Sequence, residues 1–149
     1  MIAGERLSSL SGMLAGDHDR LDRSFQAILT RAYGGDWQQL ETEWIAFQRE
    51  LLGHLEAEEK HVIPALARDR PAAAEALLSD HAAIRARLIE LGIDLDLHCL
   101  RAERVAMFVE ALRSHAKREE GMFYPWADGH LPVEATTDVR ERIGKSRHR

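Results

Sequence analysis

Apolar residues recur along this chain in steps of three and four, the spacing that places them on one face of an α-helix. The longest such stripe is Leu40, Trp44, Phe47, Leu51, His54, Glu58 and His61. The first four residues of this stripe are large and apolar, and the last three are histidine or glutamate on the same face of the helix. Because buried polar groups are costly unless they are paired, the stripe predicts an inward-facing site that binds a metal ion.

Three further stripes predict three more helices. We expect the first helix over about residues 17–33, the third over about 72–91 with Gly92 breaking it, and the fourth from residue 94 or 96 to about 129. No segment shows strand alternation over a useful length. Four helices joined by short loops predict an all-α fold, an antiparallel up-down-up-down four-helix bundle.

The two ends of the chain are less regular. Residues 1–16 are expected to form either a short leading helix or the frayed start of the first helix. Residues 132–143 are expected to add a short terminal helix. The basic residues from 140 to 149 lack a core pattern beyond Ile143 and are expected to form a flexible tail.

One ligand pattern occurs twice, so the bundle is expected to have pseudo-twofold symmetry. Each half supplies a lone histidine preceded by aspartate, and then a His-x-x-x-Glu motif that a second acid and a proline follow. A histidine and a glutamate four residues apart share one helix face and can bind one site together. The candidate metal ligands are His18, His54, Glu58, His81, His115 and Glu119.

This set of side chains suits two ions. Each ion would be bound by two histidines, and both carboxylates would bridge. Mixed nitrogen and oxygen ligation favours iron or manganese, whereas a structural zinc site more often uses cysteine.

Composition narrows the class of protein. The 149 residues carry a net charge of -5, which argues against a nucleic-acid partner. No apolar run reaches the length of a membrane span, and no signal peptide is visible. The single cysteine, Cys99, fits a reducing compartment and is expected to be a buried or half-buried filler. We therefore expect one cytoplasmic domain over residues 1–149; the sequence makes no prediction of oligomeric state.

The arrangement His, His-x-x-x-Glu, His, His-x-x-x-Glu resembles the hemerythrin-like (HHE cation-binding) domain over about residues 14–127, which would be the core. The resemblance implies a non-haem di-iron site with an oxo or hydroxo bridge, and the six candidate ligands match the ligands of the family. Oxygen-carrying hemerythrins have a fifth histidine where this chain has Arg85. The set is similar instead to bacterial iron-cluster repair proteins and to an F-box iron sensor, whose additional domains this sequence does not show.

The resemblance implies a partner that is a small diatomic molecule or peroxide. Our main hypothesis is a protein that binds or reacts with oxygen, peroxide or nitric oxide, with catalase, peroxidase or nitric-oxide-handling activity as the enzymatic form. The alternatives are an oxygen or iron sensor or carrier without turnover, and a bundle whose metal is purely structural.

Two neighbouring features break the repeat. His61 lies one turn beyond Glu58, where the second half has Met122. It is either a further ligand or a core histidine satisfied by hydrogen bonds. Asp22 and Arg85 each lie four residues after a lone histidine. They either pair with each other below the metal layer and restrict one approach to it, or are two unrelated surface charges.

Four acids adjoin the candidate ligands. Glu59 and Glu120 follow the bridging glutamates and point about 100° away from them. They are either partners that hydrogen-bond to the ligands or simply exposed acids, and exposure is favoured. Asp17 and Asp80 precede the lone histidines and are expected to act as helix caps or to hold imidazoles by hydrogen bonds.

Overall fold

The computed structural model describes residues 9–147, and this part of the chain is helical with no strand. The all-α class is therefore confirmed. The helices are α1 (Leu10–Tyr33), α2 (Leu40–His61), α3 (Ile63–Asp69), α4 (Pro71–Asp96), α5 (Ala102–Arg118), α6 (Tyr124–His130) and α7 (Val133–Arg147). A π-helical turn, Glu119–Phe123, joins α5 to α6. No helix within residues 9–147 combines the length and the apolar character needed to cross a membrane.

Helix α1 begins earlier than the sequence predicts. The Ser9 hydroxyl accepts a hydrogen bond of 3.0 Å from the Gly12 N–H and caps the helix. Leu10 and Leu14 are buried and extend the apolar stripe by two turns. Residues 10–16 are thus the start of the first helix, while residues 1–8 lie outside the described part. The helix ends at Gly34, and Gly35 takes a φ of 75°, a conformation that glycine adopts without strain.

Helix α2 follows its predicted stripe closely. The stripe residues from Leu40 to Glu58 are buried, including the polar ones. The helix ends at His61 because Pro64 lacks the N–H that would bond the carbonyl four residues earlier. Val62 takes a φ of -124°, and the chain turns into the short helix α3.

Gly92 does not break helix α4, so that prediction is wrong. The helix continues to Asp96 because Leu91 and Leu95 remain on its buried face. A glycine inside a helix costs only about 1 kcal/mol relative to alanine, which this burial offsets. Gly92 lies against Trp44, whose Nε1 would be 3.5 Å from a Cβ at this position. Helix α5 consequently begins at Ala102 rather than near residue 94 or 96.

The connection between α4 and α5 is held by a buried carboxylate. Arg104 Nη1 donates to Asp94 Oδ1 at 3.1 Å. Cys99 in this loop is exposed, contrary to the expectation of a buried or half-buried filler. The loop turns at His98, where φ is 50° and the ring stacks on Trp37 at 4.4 Å.

Pro125 does not end the fourth predicted helix, because the π-helical turn precedes it. A π-helix bonds each N–H to the carbonyl five residues back, and the Tyr124 N–H bonds the Glu119 carbonyl in this way. The extra residue rotates the rest of the segment. Phe123 and Tyr124 are therefore fully buried, and Met122 is only partly buried.

The buried apolar residues form two clusters. The Phe47 cluster comprises Leu21, Phe25, Ile28, Ala32, Leu40, Trp44, Phe47, Leu51, Leu55, Ile84, Leu88, Leu91, Leu95, Val105 and Phe108. The Leu66 cluster comprises Leu10, Leu14, Ala57, Val62, Ile63, Leu66, Ala74, Leu77, Phe123, Tyr124, Trp126, Ala127, Val139 and Ile143. In α1 and α4 the candidate histidine lies between residues of the two clusters, as do His115 and Glu119 in the segment from α5 to α6. In α2, His54 and Glu58 flank the point between Leu55 and Ala57 where one cluster gives way to the other.

The expected flexible tail is instead the second half of helix α7, up to Arg147; residues 148–149 lie outside the described part. Val139, Ile143 and Ser146 are buried on one face of this helix. The helix packs on α2, where Arg49 Nε donates to the Ser146 carbonyl at 2.7 Å. Arg140 and Lys145 lie on the exposed side of this docked helix, whereas Arg142 and Arg147 pair with Glu56 of α2 and Asp17 of α1.

We predict that Gly53→Ala displaces helix α7 and lowers the free energy of unfolding by about 1–3 kcal/mol. A Cβ at Gly53 would lie 1.8 Å from Ser146 Oγ and 2.7 Å from Ser146 Cβ. The measurement is urea denaturation followed by circular dichroism.

Gly16→Ala is the matched control for that experiment. Gly16 is an exposed position inside α1 with no atom within 4 Å of a Cβ placed there. This substitution should stabilise the protein by about 0.5–1 kcal/mol. Equal effects of the two substitutions would contradict the close packing of α7 on α2.

Candidate metal centre

The structure brings all six candidate ligands together in two groups. One group contains His18, His54, Glu58 and Glu119, and the other contains Glu58, His81, His115 and Glu119. In each group one ligand-type atom of every residue lies within 4.8 Å of the others. All of these residues are buried except His18, which is partly buried. Their spacing suits an ion in each group.

The two glutamates belong to both groups. Glu58 turns Oε2 toward one group, 3.2 Å from His54 Nε2, and Oε1 toward the other, 3.1 Å from His81 Nε2. Glu119 Oε1 lies 3.1 Å from both His18 Nε2 and His115 Nε2. A carboxylate with one oxygen on each side can bridge two ions.

Buried atoms without hydrogen bonds concentrate in the second group. Among the described residues these side-chain atoms are Glu58 Oε1, His81 Nε2, His115 Nε2, Glu119 Oε2 and Arg147 Nε. The first four are one atom from each member of the His81 group. Native proteins rarely bury unpaired polar atoms, because each costs free energy. A bound cation would satisfy all four atoms at once, so the residues present fit a metal ion.

A carboxylate on a neighbouring element orients each candidate histidine. His54 Nδ1 donates to Asp17 at 2.7 Å, His81 Nδ1 to Glu59 at 2.6 Å, His115 Nδ1 to Asp80 at 2.9 Å and His18 Nδ1 to Glu120 at 2.9 Å. In every case the remaining Nε2 faces the glutamates at the centre. Such carboxylate–histidine pairs fix the tautomer and orientation of metal-binding imidazoles.

These four acids settle two of the sequence expectations. Asp17 and Asp80, which precede the lone histidines, do hold imidazoles by hydrogen bonds. Each bonds to a histidine on the next long helix, Asp17 to His54 and Asp80 to His115. Exposure was favoured for Glu59 and Glu120, and the Glu120 side chain is 45% exposed, whereas that of Glu59 is 25% exposed. Both nevertheless bond to imidazoles, as the alternative expectation had it. A residue adjacent to an inward ligand points about 100° away from it, which in a bundle is toward a neighbouring helix or toward solvent. That rule makes all four acids candidates for such contacts, but by itself it does not distinguish a neighbouring helix from solvent.

Arginines pair with three of the acids. Arg147 Nη2 lies 2.6 Å from Asp17, Arg85 binds both oxygens of Glu59 at 2.7 and 2.9 Å, and Arg118 lies 3.0 Å from Asp80. Each arginine partly neutralises the charge of an acid that orients an imidazole, and within the described residues none of the three pairs with the central glutamates.

The predicted pair of Asp22 with Arg85 is therefore wrong. Arg85 reaches Glu59 instead, and Asp22 lies 3.6 Å from Arg113 on α5. His61 belongs to neither group. Its ring is partly exposed and lies 3.8 Å from Asp138 of helix α7.

The sequence reasoning missed Tyr124, whose hydroxyl lies inside the His18 group. Its oxygen is 2.6 Å from Glu58 Oε2 and 3.0 Å from Glu119 Oε1. It is also 2.9 Å from His18 Nε2 and 3.3 Å from His54 Nε2. A regular helical period does not place residue 124 on this face; the π-helical turn does.

The electrostatics of the centre favour positive charge. Burial alone would lower the pKa of His81, but contacts with Glu119, Glu58 and Glu59 raise it to about 10. Burial likewise opposes ionisation of Glu119, yet the close approach of the His115, His18 and His81 imidazoles holds its pKa well below the usual range. Burial, together with the charges of Glu58 and Glu119, raises the pKa of Tyr124 well above that of a free phenol. Without a metal, the raised pKa values of His54 and His81 favour protonated imidazoles, which place positive charge beside the carboxylates.

A cavity of ≈ 330 Å³ leads from the surface to the centre. His18, His54 and His115 line its inner part. Its apolar wall consists of Leu21, Leu51, Leu55, Ile84 and Leu112. Charged residues also line it, namely Asp19, Asp22, Arg113, Lys117 and Glu120. The cavity gives small molecules a route to the histidines.

Comparison with known families gives one finding. The model of the hemerythrin HHE cation binding domain matches residues 9–127. Comparisons with curated proteins and with solved structures give no match. The matched segment contains all six candidate ligands and the four acids that orient their imidazoles.

We predict that Asp80→Asn weakens metal binding by about 10–100-fold, because His115 loses the carboxylate that orients its ring. The side chain of Asp80 is partly exposed, so the variant should remain folded. The measurement is competition for the metal against a chelator of known affinity. Asp22→Asn is the matched control and should retain the affinity of the unsubstituted protein, since Asp22 contacts only Arg113 among the charged side chains of residues 9–147. Equal affinities for the two variants would contradict this role of Asp80.

Proposed function

We propose that this chain, which belongs to the hemerythrin family of HHE cation-binding domains, is a non-haem di-iron protein that binds or reacts with oxygen, peroxide or nitric oxide. The observation that carries the proposal is the pair of ligand groups that share both glutamates. Two adjacent sites joined by carboxylates suit a dinuclear centre better than two independent ions.

We assign the long helices to an antiparallel four-helix bundle with pseudo-twofold symmetry. The order of the apolar clusters along the chain supports this assignment. Along α1 and α4 the chain passes from the Leu66 cluster, through the candidate ligands, to the Phe47 cluster. Along α2 and the segment from α5 to α6 it passes in the opposite order. Alternating directions bring the four sets of ligands to one level.

The ligands in this proposal are His18, His54, Glu58, His81, His115 and Glu119. Each ion would be held by two imidazoles, and Glu58 and Glu119 would bridge, with an oxo or hydroxo group completing the bridge. No cysteine lies among these residues, which favours iron over a structural zinc. Bound iron would supply a redox couple and coordination positions for a small ligand.

The protein contributes orientation and access. The acids Asp17, Glu59, Asp80 and Glu120 hold the imidazoles with Nε2 inward, so the ligands need little reorganisation. The cavity beside the histidines has an apolar wall, which suits the approach of small uncharged molecules. These features support oxygen, peroxide or nitric oxide as the partner.

We predict about two irons per chain in protein expressed with ample iron. His81→Ala should lower the content to one iron or less, because this residue serves only one group. Glu58→Ala should abolish binding of both irons, because it serves both groups. His61→Ala is the control and should keep the full iron content, since the ring lies outside both groups. The measurement is elemental analysis of folded, purified protein, and loss of iron from the His61 variant would contradict the ligand assignment.

We predict that Leu112→Trp slows association of nitric oxide with the diferrous protein several-fold without loss of iron. Leu112 is partly buried, and the indole would fill part of the cavity. The measurement is stopped-flow mixing. Met107→Trp is the control, because Met107 is an exposed residue of the same helix outside this cavity. Equal rates in the two variants would contradict entry through this cavity.

Peroxide decomposition by the same iron-loaded preparation separates the two functional classes. Turnover would assign the protein to peroxide handling. Reversible binding of oxygen or nitric oxide without turnover would assign it to sensing or carriage. Iron-loaded protein that neither binds these molecules nor turns over peroxide would refute the proposed function.

A further inference from the structure

The hydroxyl of Tyr124 contacts both histidines of one ligand group and neither histidine of the other, while the two glutamates that it contacts belong to both groups. Its four polar contacts, at 2.6–3.3 Å, are with the four members of the His18 group. It has no hydrogen bond with His81 or His115 among the described contacts, and the donor atoms of their group include the four without hydrogen bonds. The two groups are therefore chemically unlike.

The distances from the hydroxyl are those between neighbouring ligands of one ion. Nitrogen and oxygen ligands bind first-row metals at about 2.1 Å, so two ligands at right angles lie about 3.0 Å apart. The phenol oxygen lies near this distance from all four donor atoms of the His18 group. An octahedral ion places each ligand at right angles to four others, which is the relation of Tyr124 to this group.

Only the second half of the repeat has a tyrosine at this position. Aligning Glu58 and Pro64 with Glu119 and Pro125 places Ile63 opposite Tyr124. Ile63 is buried in the Leu66 cluster and offers no polar atom. The first half has an ordinary helix end at this point, whereas the second has the π-helical turn that bonds the Tyr124 N–H to the Glu119 carbonyl. The position of the phenol is thus fixed by the backbone next to a candidate ligand.

We propose that the Tyr124 phenol oxygen is a further protein ligand, bound to the ion of the His18 group. This assignment rests on the proposed di-iron function. As the oxygen bonds to the metal, the O–H bond breaks and its proton passes to water. The ion of the His18 group then has five protein ligands, and the ion held by His81 and His115 keeps the open position for a small molecule. His115 also lines the cavity, which gives that molecule access.

The test is the visible absorption spectrum of the ferric protein, with resonance Raman excitation in the band. A phenolate bound to iron(III) gives a charge-transfer band in the visible region and enhanced ring vibrations, which histidine and carboxylate ligands do not give. The chain has two tyrosines, so Tyr33→Phe is a matched control at an exposed site. We expect the band in the unsubstituted protein and in the Tyr33 variant, and its loss in Tyr124→Phe while both irons remain.

Retention of the band in Tyr33→Phe assigns it to Tyr124 even if Tyr124→Phe does not fold. Unsubstituted ferric protein that holds two irons but shows neither the band nor the ring vibrations would overturn the Tyr124 assignment and leave the di-iron function standing. Unsubstituted protein that takes up no iron would overturn both.

Discussion

The structure depends on one constraint, which is that six polar side chains, five of them buried and His18 partly buried, lie between two apolar clusters. Charged and polar groups in such a place lower stability unless each atom has a partner. The chain meets this demand by placing one carboxylate behind each imidazole. The pairs join α1 to α2, α2 to α4, α4 to α5, and the π-helical turn back to α1. They form a closed ring, so the helices that carry the ligands are held together by the groups that orient them.

Adjacent glutamates in the sequence have different roles in this arrangement. The inward glutamates, Glu58 and Glu119, serve the centre, while the acids that follow them serve histidines on other elements. Arginines outside the ring pair with three of the acids in the ring and partly neutralise the charge of those acids. Negative charge is thus concentrated at the two central glutamates, where a cation is needed.

The sequence predicted the six candidate ligands that the structure brings together, because each lies on an apolar stripe at regular helical spacing. It did not predict the partners of Glu59 and Glu120, because choosing between solvent and a neighbouring helix requires knowledge of which helices are adjacent. Tyr124 was missed for a different reason. A π-helical turn changes the register by one residue, and nothing in the apolar spacing marks it in advance. Gly92 was expected to break its helix because glycine has low helix propensity. The helix continues because Leu95, beyond the glycine, is buried, and burial depends on tertiary packing that local propensity does not report.

Helix α7 extends the functional unit past the segment that family comparison recognises. The match ends at residue 127, yet Arg147 bonds to Asp17, and Asp17 orients His54. The close approach of α7 to α2 at Gly53 and Ser146 is what brings Arg147 within reach. A chain trimmed to the recognised boundary would therefore keep every candidate ligand but lose a charge that steadies one of them. The minimal unit for studying this centre in isolation is set by side-chain contacts and runs to Arg147.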